Sequence, residues 1–171
     1  MQAYKWDARD YEKHSKSQQL WAQELIRKLN LKGDESVLDI GCGDGKISAE
    51  IASHLTSGEV VGIDSSSEMI ALSQKYFPAN TYKNIQFCLM DASKLPFEEE
   101  FDIVFSNAAL HWVQDHRPVL KGIFNSLKNG GIALLQMGGK GNAEAVLSVL
   151  ESLLNTKEWG EYFAGLDEAN G

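Results

Sequence analysis

The sequence predicts a doubly wound α/β domain built on at least five parallel strands. Two features of the chain carry this reading. Short apolar runs suited to strands recur about 25 residues apart with helical patterns between them, the signature of βαβ units and a parallel sheet. The first of these runs ends in Gly41-Cys42-Gly43-Asp44-Gly45, a turn with glycine at every second position between a strand and a helix. Right-handed crossovers then give the strand order 3-2-1-4-5. The composition agrees: 171 residues, 43% hydrophobic and 23% charged, is ordinary for one globular domain and too apolar for a disordered chain.

The elements follow in order. Leu20, Trp21, Leu25, Ile26 and Leu29 fall on one face of a helix over 15–30. Residues 36–40 read as a short buried strand, and 46–54 as a helix with Ile47 and Ile51 inward. A second strand covers 59–63, and a second crossover helix runs over 66–76 until Pro78 stops it. Strands three, four and five are expected at 85–89, 101–105 and 131–136. A helix over 117–127 precedes the last of them, closed by Asn129-Gly130-Gly131. From 142 to 154 the pattern is helical again, and nothing after Gly139 reads as strand.

Charge and cysteine content exclude several function classes. The net charge is -8, from 16 basic and 24 acidic residues, which leaves little to build the basic face that a nucleic acid requires. No apolar run approaches the roughly 20 residues of a membrane span, and the N-terminus has no apolar signal core. A cytoplasmic location is the expectation. Two cysteines, Cys42 and Cys88, make neither a disulfide framework nor a metal site, and no metal is expected.

Ligands of an open parallel sheet bind beyond the carboxyl ends of its strands. Four polar segments arrive there: 39–45, Asp64, Asp91 and 107–112. The glycine turn lets backbone approach a ligand closely, but the third glycine of a dinucleotide fingerprint is replaced by Lys46. Asp39 and Asp44 would repel a phosphate and suit a ligand that carries an amino group. A tight turn without a ligand is the alternative. Asp64, about 20 residues after the turn, is placed to accept from both hydroxyls of a ribose, and a helix-capping role for Asp64 or Ser65 is compatible with that. Asp91 could accept from an exocyclic adenine amine while Ala92 offers its N–H, or it could be a lone acid in a turn.

The segments 37–45, 62–64, 91–92 and 101–112 together resemble the class I S-adenosylmethionine-dependent methyltransferases, whose sheet is Rossmann-like. Ser106-Asn107-Ala108-Ala109-Leu110-His111-Trp112 and the N-terminal Trp6, Tyr11, Gln18, Trp21 pattern are similar to the small-molecule carboxyl methyltransferases within that class. Those are the enzymes of the trans-aconitate, malonyl-acyl-carrier-protein and juvenile-hormone acid type. The resemblance implies S-adenosylmethionine as cofactor and a small-molecule acceptor, with a carboxylate oxygen as the methylated atom. It places Asp39, Gly41, Cys42, Gly43 and Gly45 at the methionine end of the cofactor and Asp64 at the ribose. Ser65 and Met69 flank the adenine, Asp91 and Ala92 read its edge, and Asn107 and Ala108 lie under the sulfonium. Tyr11 and Gln18 would cover the site. His111 would be a base, a contact or loop packing.

The resemblance also marks departures. Methyltransferases of exocyclic DNA amines place two prolines after the strand-four Asn or Asp, whereas Ala108 and Ala109 follow Asn107. The family usually adds an antiparallel pair of strands after the fifth, and those are expected to be absent here. A cofactor domain over 1–140 with an N-terminal cap helix is expected, followed by a helical segment over 141–171 that forms part of an acceptor lid. The fifth strand would then be a bare edge able to pair with a second copy. Two other functions remain open at this point. One is a fragment that binds S-adenosylmethionine or S-adenosylhomocysteine without turnover, and a remote one is an NAD-linked oxidoreductase, disfavoured by Lys46.

Overall fold

The computed structural model describes residues 16–139, 141–156 and 159, with side chains from residue 23 onward. The chain divides into two compact units, Met1–Met137 and Gly138–Gly171. The first unit holds α1 (Lys16–Leu29), β1 (Ser36–Ile40), α2 (Lys46–Ser53), β2 (Glu59–Asp64), α3 (Ser67–Tyr76), β3 (Ile85–Leu89), β4 (Phe101–Asn107), α4 (His116–Ser126) and β5 (Leu127–Gln136). Single 3₁₀ turns at Ala92–Lys94 and Leu110–Trp112 follow β3 and β4. The strands form one sheet in the order β3-β2-β1-β4-β5, and every neighbouring pair is parallel.

Side chains alternate across a strand, and that alternation divides the core in two. Val37, Val60, Ile85, Phe87, Ile103 and Phe105 face one way and pack with Leu25, Ile26 and Leu29 of α1, Ile51 of α2 and Ile70 of α3. Leu38, Ile40, Ile63, Phe101 and Val104 face the other way, against Val119 and Ile123 of α4. Asp39 stands between Leu38 and Ile40, so the same alternation turns it toward α2 and Ser106 toward the α4 side. Burial of both faces explains why β1 and β4 read as nearly continuous apolar runs.

Caps set the helix starts. Ser66 Oγ accepts from the Met69 N–H at 3.3 Å and opens α3, and Asp115 accepts from the Arg117 N–H at 3.0 Å and opens α4. At the opposite end of the sheet, Asp102 Oδ2 accepts from the Ser36 N–H at 2.9 Å and pairs with Lys128 Nζ at 2.8 Å, tying β1, β4 and β5 together.

The end of α4 departs from the sequence reading. Asn129-Gly130-Gly131 looks like a turn that should delay the strand until residue 131. Instead the chain enters the ladder at Leu127, opposite Phe101. The register then shifts, so that Ile103 faces Ile132, with Gly130 at φ 84° inside the irregularity. A β-bulge absorbs extra residues without ending a strand, and the turn-like composition marks the bulge rather than a boundary.

The second unit contains α5 (Glu144–Leu154), whose Val146, Leu147, Val149, Leu150 and Leu153 are exposed. Among the described residues no strand follows β5. No helix among them is long and apolar enough to cross a membrane.

Phe105, at 0% exposure, lies at the centre of the sheet between β1 and β5. Phe105→Ala should cost about 3–5 kcal/mol through lost transfer energy and the cavity left behind. The check is urea unfolding, where the midpoint should fall with an unchanged slope.

Candidate functional site

A cleft of about 260 Å³ opens at the carboxyl ends of β1 to β4. Its floor is the glycine turn after β1. Gly41, Gly43 and Gly45 all take positive φ, at 78°, 55° and 81°. At Gly41 a side chain is also excluded by space, because a Cβ there would lie 2.1 Å from the Ala109 Cβ. At Gly45 a Cβ would lie 2.6 Å from Phe87 Cζ. Glycine is required at both positions by backbone conformation and by close packing.

The turn is anchored to the end of β2. The Gly41 and Cys42 N–H groups both donate to the Ile63 carbonyl, at 2.8 and 3.0 Å. The Asp64 carboxylate then spans two elements: Oδ2 accepts from the Gly43 N–H at 3.0 Å and Oδ1 from the Ser66 N–H at 2.8 Å. Each oxygen keeps further acceptor capacity, since an ionised carboxylate has about four lone-pair sites. Asp64 is therefore held in one orientation and still open to two donors.

Across the cleft, Asp91 caps the 3₁₀ turn after β3. Its Oδ1 accepts from the Ser93 N–H at 2.9 Å and from Ser93 Oγ at 2.7 Å. The backbone N–H bond leads in holding this carboxyl below its ordinary range, so Asp91 is an anion at neutral pH. Met69, Met90 and Ile63 supply apolar wall between the two acids. The far side is the segment after β4. Ala108 adopts φ 54°, and its N–H donates to the Gln136 carbonyl at 2.8 Å. His111 and Trp112 stand on the following 3₁₀ turn at the rim, their rings 5.0 Å apart.

Gly41, Gly43, Asp64, Ser65, Met69, Asp91, Ala92, Ala108 and His111, all expected from the sequence, are brought together here. Asp39, Cys42, Gly45 and Asn107 lie behind the wall and do not line it. Cys42 is buried, and burial pushes its thiol well above the ordinary value. Asn107 is 8% exposed, and both ends of its amide lack a hydrogen-bond partner among the described residues. Tyr11 lies outside the described residues; Gln18 falls in α1, with its side chain outside them. No cluster that could hold a metal ion occurs among the described residues.

Several positioning residues escaped the sequence reading. Ser106 Oγ donates to the Ile40 carbonyl at 2.8 Å and locks β4 to the end of β1. His116 donates through Nε2 to the Leu110 carbonyl at 2.8 Å and holds the turn that carries His111. Ser66 is the cap that was expected at Asp64 or Ser65, and the repeated Ser65-Ser66-Ser67 was the available signal.

Asp39 is the most unusual group. It is 2% exposed, and Ser48 Oγ donates to its Oδ2 at 2.6 Å. Burial pushes its carboxyl up to about 7, against the pull of Ser48 and with a further push from the negative Asp64. The folded chain thus holds this proton more tightly than the unfolded chain, whose carboxyl sits at 3.8. The stability it contributes is full below the unfolded value and is lost as pH rises through about 7. Thermal unfolding should therefore show a midpoint that falls between about pH 4 and pH 7 and levels off above, and Asp39→Asn should flatten that fall.

The cleft is acidic where a dinucleotide site would be receptive to phosphate. Lys46, in the place of the third fingerprint glycine, is paired with Asp44 at 2.6 Å, and its own N–H reaches Asp44 Oδ1 at 3.3 Å. The first turn of α2 is thereby covered by a carboxylate rather than left open to an anion.

Residues 31–164 match the family described as a methyltransferase domain. The chain is 36% identical over 153 residues to an uncharacterized methyltransferase of Schizosaccharomyces pombe, covering 87% of this chain and 57% of that protein. It is 28% identical over 163 residues to the trans-aconitate 2-methyltransferase of Variovorax paradoxus, covering 95% of this chain and 61% of that protein. Among solved structures it is similar to an S-adenosylmethionine dependent methyltransferase from Mesorhizobium loti, with a TM-score of 0.60 and 27% identity over 68% of this chain and 53% of that one. The chain spans little more than half the length of the curated relatives it matches.

Proposed function

The chain belongs to the class I S-adenosylmethionine-dependent methyltransferase family, and from that premise we propose that its cleft holds S-adenosylmethionine for methyl transfer to a small molecule. The observation that carries this is the Asp64 carboxylate. It is fixed by the Gly43 and Ser66 N–H groups and retains acceptor sites on both oxygens. That is the donor–acceptor arrangement a pair of ribose hydroxyls needs. Asp91 and the Ala92 N–H, across walls of Met69 and Met90, suit the edge of an adenine. The ammonium group of the cofactor's amino-acid end suits the acidic glycine turn, which would repel a pyrophosphate. The residues present fit the cofactor.

When bound, the cofactor supplies an activated methyl carbon on a sulfonium. The chain's own task is alignment and exclusion of water, because in-line displacement at such a carbon depends mainly on geometry. Gly41 and Gly43 bring backbone to the cofactor's amino-acid end. Ala108, held by its bond to the Gln136 carbonyl, sets the wall between cofactor and acceptor, with Asn107 behind it. His111 and Trp112 form the acceptor rim, latched by His116.

The methylated atom is a carboxylate oxygen of a small acid, a reading supported by likeness to a trans-aconitate 2-methyltransferase. A carboxylate needs no general base, and His111 then serves as a contact at the rim. Among the described residues β5 ends the sheet, and that edge offers a strand to a second copy.

Asp64→Ala should weaken S-adenosylhomocysteine binding by about 1–3 kcal/mol, roughly 5- to 150-fold, as a half-buried charged hydrogen-bond partner is lost. Calorimetric titration reads this directly, and unchanged affinity would overturn the ribose assignment. Formation of S-adenosylhomocysteine from S-adenosylmethionine with a panel of small carboxylic acids tests turnover. Tight binding without product would make the chain a binding module.

A further inference from the structure

Behind the cleft lies a buried acid to which alignment of the methyl group assigns no role. We propose that Asp39 couples cofactor binding to proton release: it holds a proton in the empty site and ionises as the ammonium group of the cofactor enters. This rests on the cofactor reading above and concerns a residue that does not touch the ligand. Asp39 is 2% exposed and sits two residues before Gly41 on the cleft floor. Its one hydrogen bond among the described residues comes from the neutral hydroxyl of Ser48, at 2.6 Å. No ion pair among the described residues includes it.

Among the described residues, the surrounding elements bring it no positive partner. From α2 it meets Ser48. The end of β2 places Asp64 near it, and the turn adds the Cys42 thiol. The one cation of the turn, Lys46, is engaged by Asp44 at 2.6 Å. On the sheet its register neighbours are Gly62 and Phe105, neither of which titrates. A carboxylate in this setting lacks compensation, and burial leaves it balanced near neutrality. A ligand bearing an ammonium group brings the missing countercharge, and in a low-dielectric interior that charge acts beyond contact distance. The acid then gives its proton to solvent. One proton leaves as the ammonium group enters.

Calorimetric titration with S-adenosylhomocysteine, in paired buffers of different ionisation heat, tests this. From an acid poised near 7, release should be about nine-tenths of a proton per site at pH 6, half at pH 7 and a tenth at pH 8. Affinity should be about tenfold weaker at pH 6 than at pH 8. Asp39→Asn, which keeps an oxygen for the Ser48 hydroxyl, should abolish the release and flatten the pH dependence. Ser48→Ala removes a bond that favours the charged form and should move half-release to higher pH. A purely structural role would leave that midpoint in place. Binding without proton exchange overturns the inference alone, as does release that persists in Asp39→Asn, since the proton then comes from another group. No binding at any pH overturns the cofactor reading, and this inference with it.

Discussion

The Asp64 carboxylate, bridging the Gly43 and Ser66 N–H groups at the end of β2, is the interaction on which the cleft depends. A glycine turn alone is a flexible loop, since each glycine gains freedom in the unfolded chain that folding must remove. Here two backbone N–H groups close on the Ile63 carbonyl and a third on Asp64, so the turn is fastened to the neighbouring strand at three points. The same carboxylate also fixes the approach to α3, whose cap is Ser66. One acid thus joins strand, turn and helix and remains free to bind a ligand.

Sheet alternation explains the rest of the site. Because side chains reverse direction along a strand, Asp39 and Ser106 leave their strands on opposite faces, and each meets one hydroxyl or carbonyl that satisfies it. Ser106 closes β4 onto β1, which brings Ala109 against Gly41. Asp39 carries the cost: buried beside another acid, its charged form is disfavoured in the free protein. Acidic residues concentrated around a single glycine turn penalise phosphate-bearing ligands and favour a cationic one. Met69, Met90 and Ile63 give the cleft its apolar wall.

Much of this was legible in the amino-acid order. The bounds of β1 and β3 coincide with the sequence reading, and the apolar run of β1 ends abruptly at Gly41. The four strand-end segments converge as expected, since parallel strands must all deliver their carboxyl ends to one side. The start of β5 was not legible. Lys128-Asn129-Gly130-Gly131 has turn composition, and only pairing with β4 reveals that the ladder has already begun. Small hydroxyl residues were also opaque. Ser48, Ser73, Ser106 and Ser126 are all fully buried, and each is satisfied by a nearby carbonyl or by Asp39. Nothing in their spacing separates them from surface serines. His116 was hidden for the same reason, because its partner is a backbone carbonyl six residues away.

The central claim is that the carboxyl ends of β1 to β4 form one cofactor site organised by Asp64. Amide chemical-shift mapping on addition of S-adenosylhomocysteine tests it most directly, since the amides of the site lie on four separate strand ends. Shifts concentrated at Gly41, Gly43, Ser66, Ala92 and Ala108, with the Ser36, Asp102 and Lys128 end of the sheet unmoved, are the predicted result. Shifts confined to that opposite end, or saturation that leaves Gly43 and Ser66 unchanged, would contradict the account.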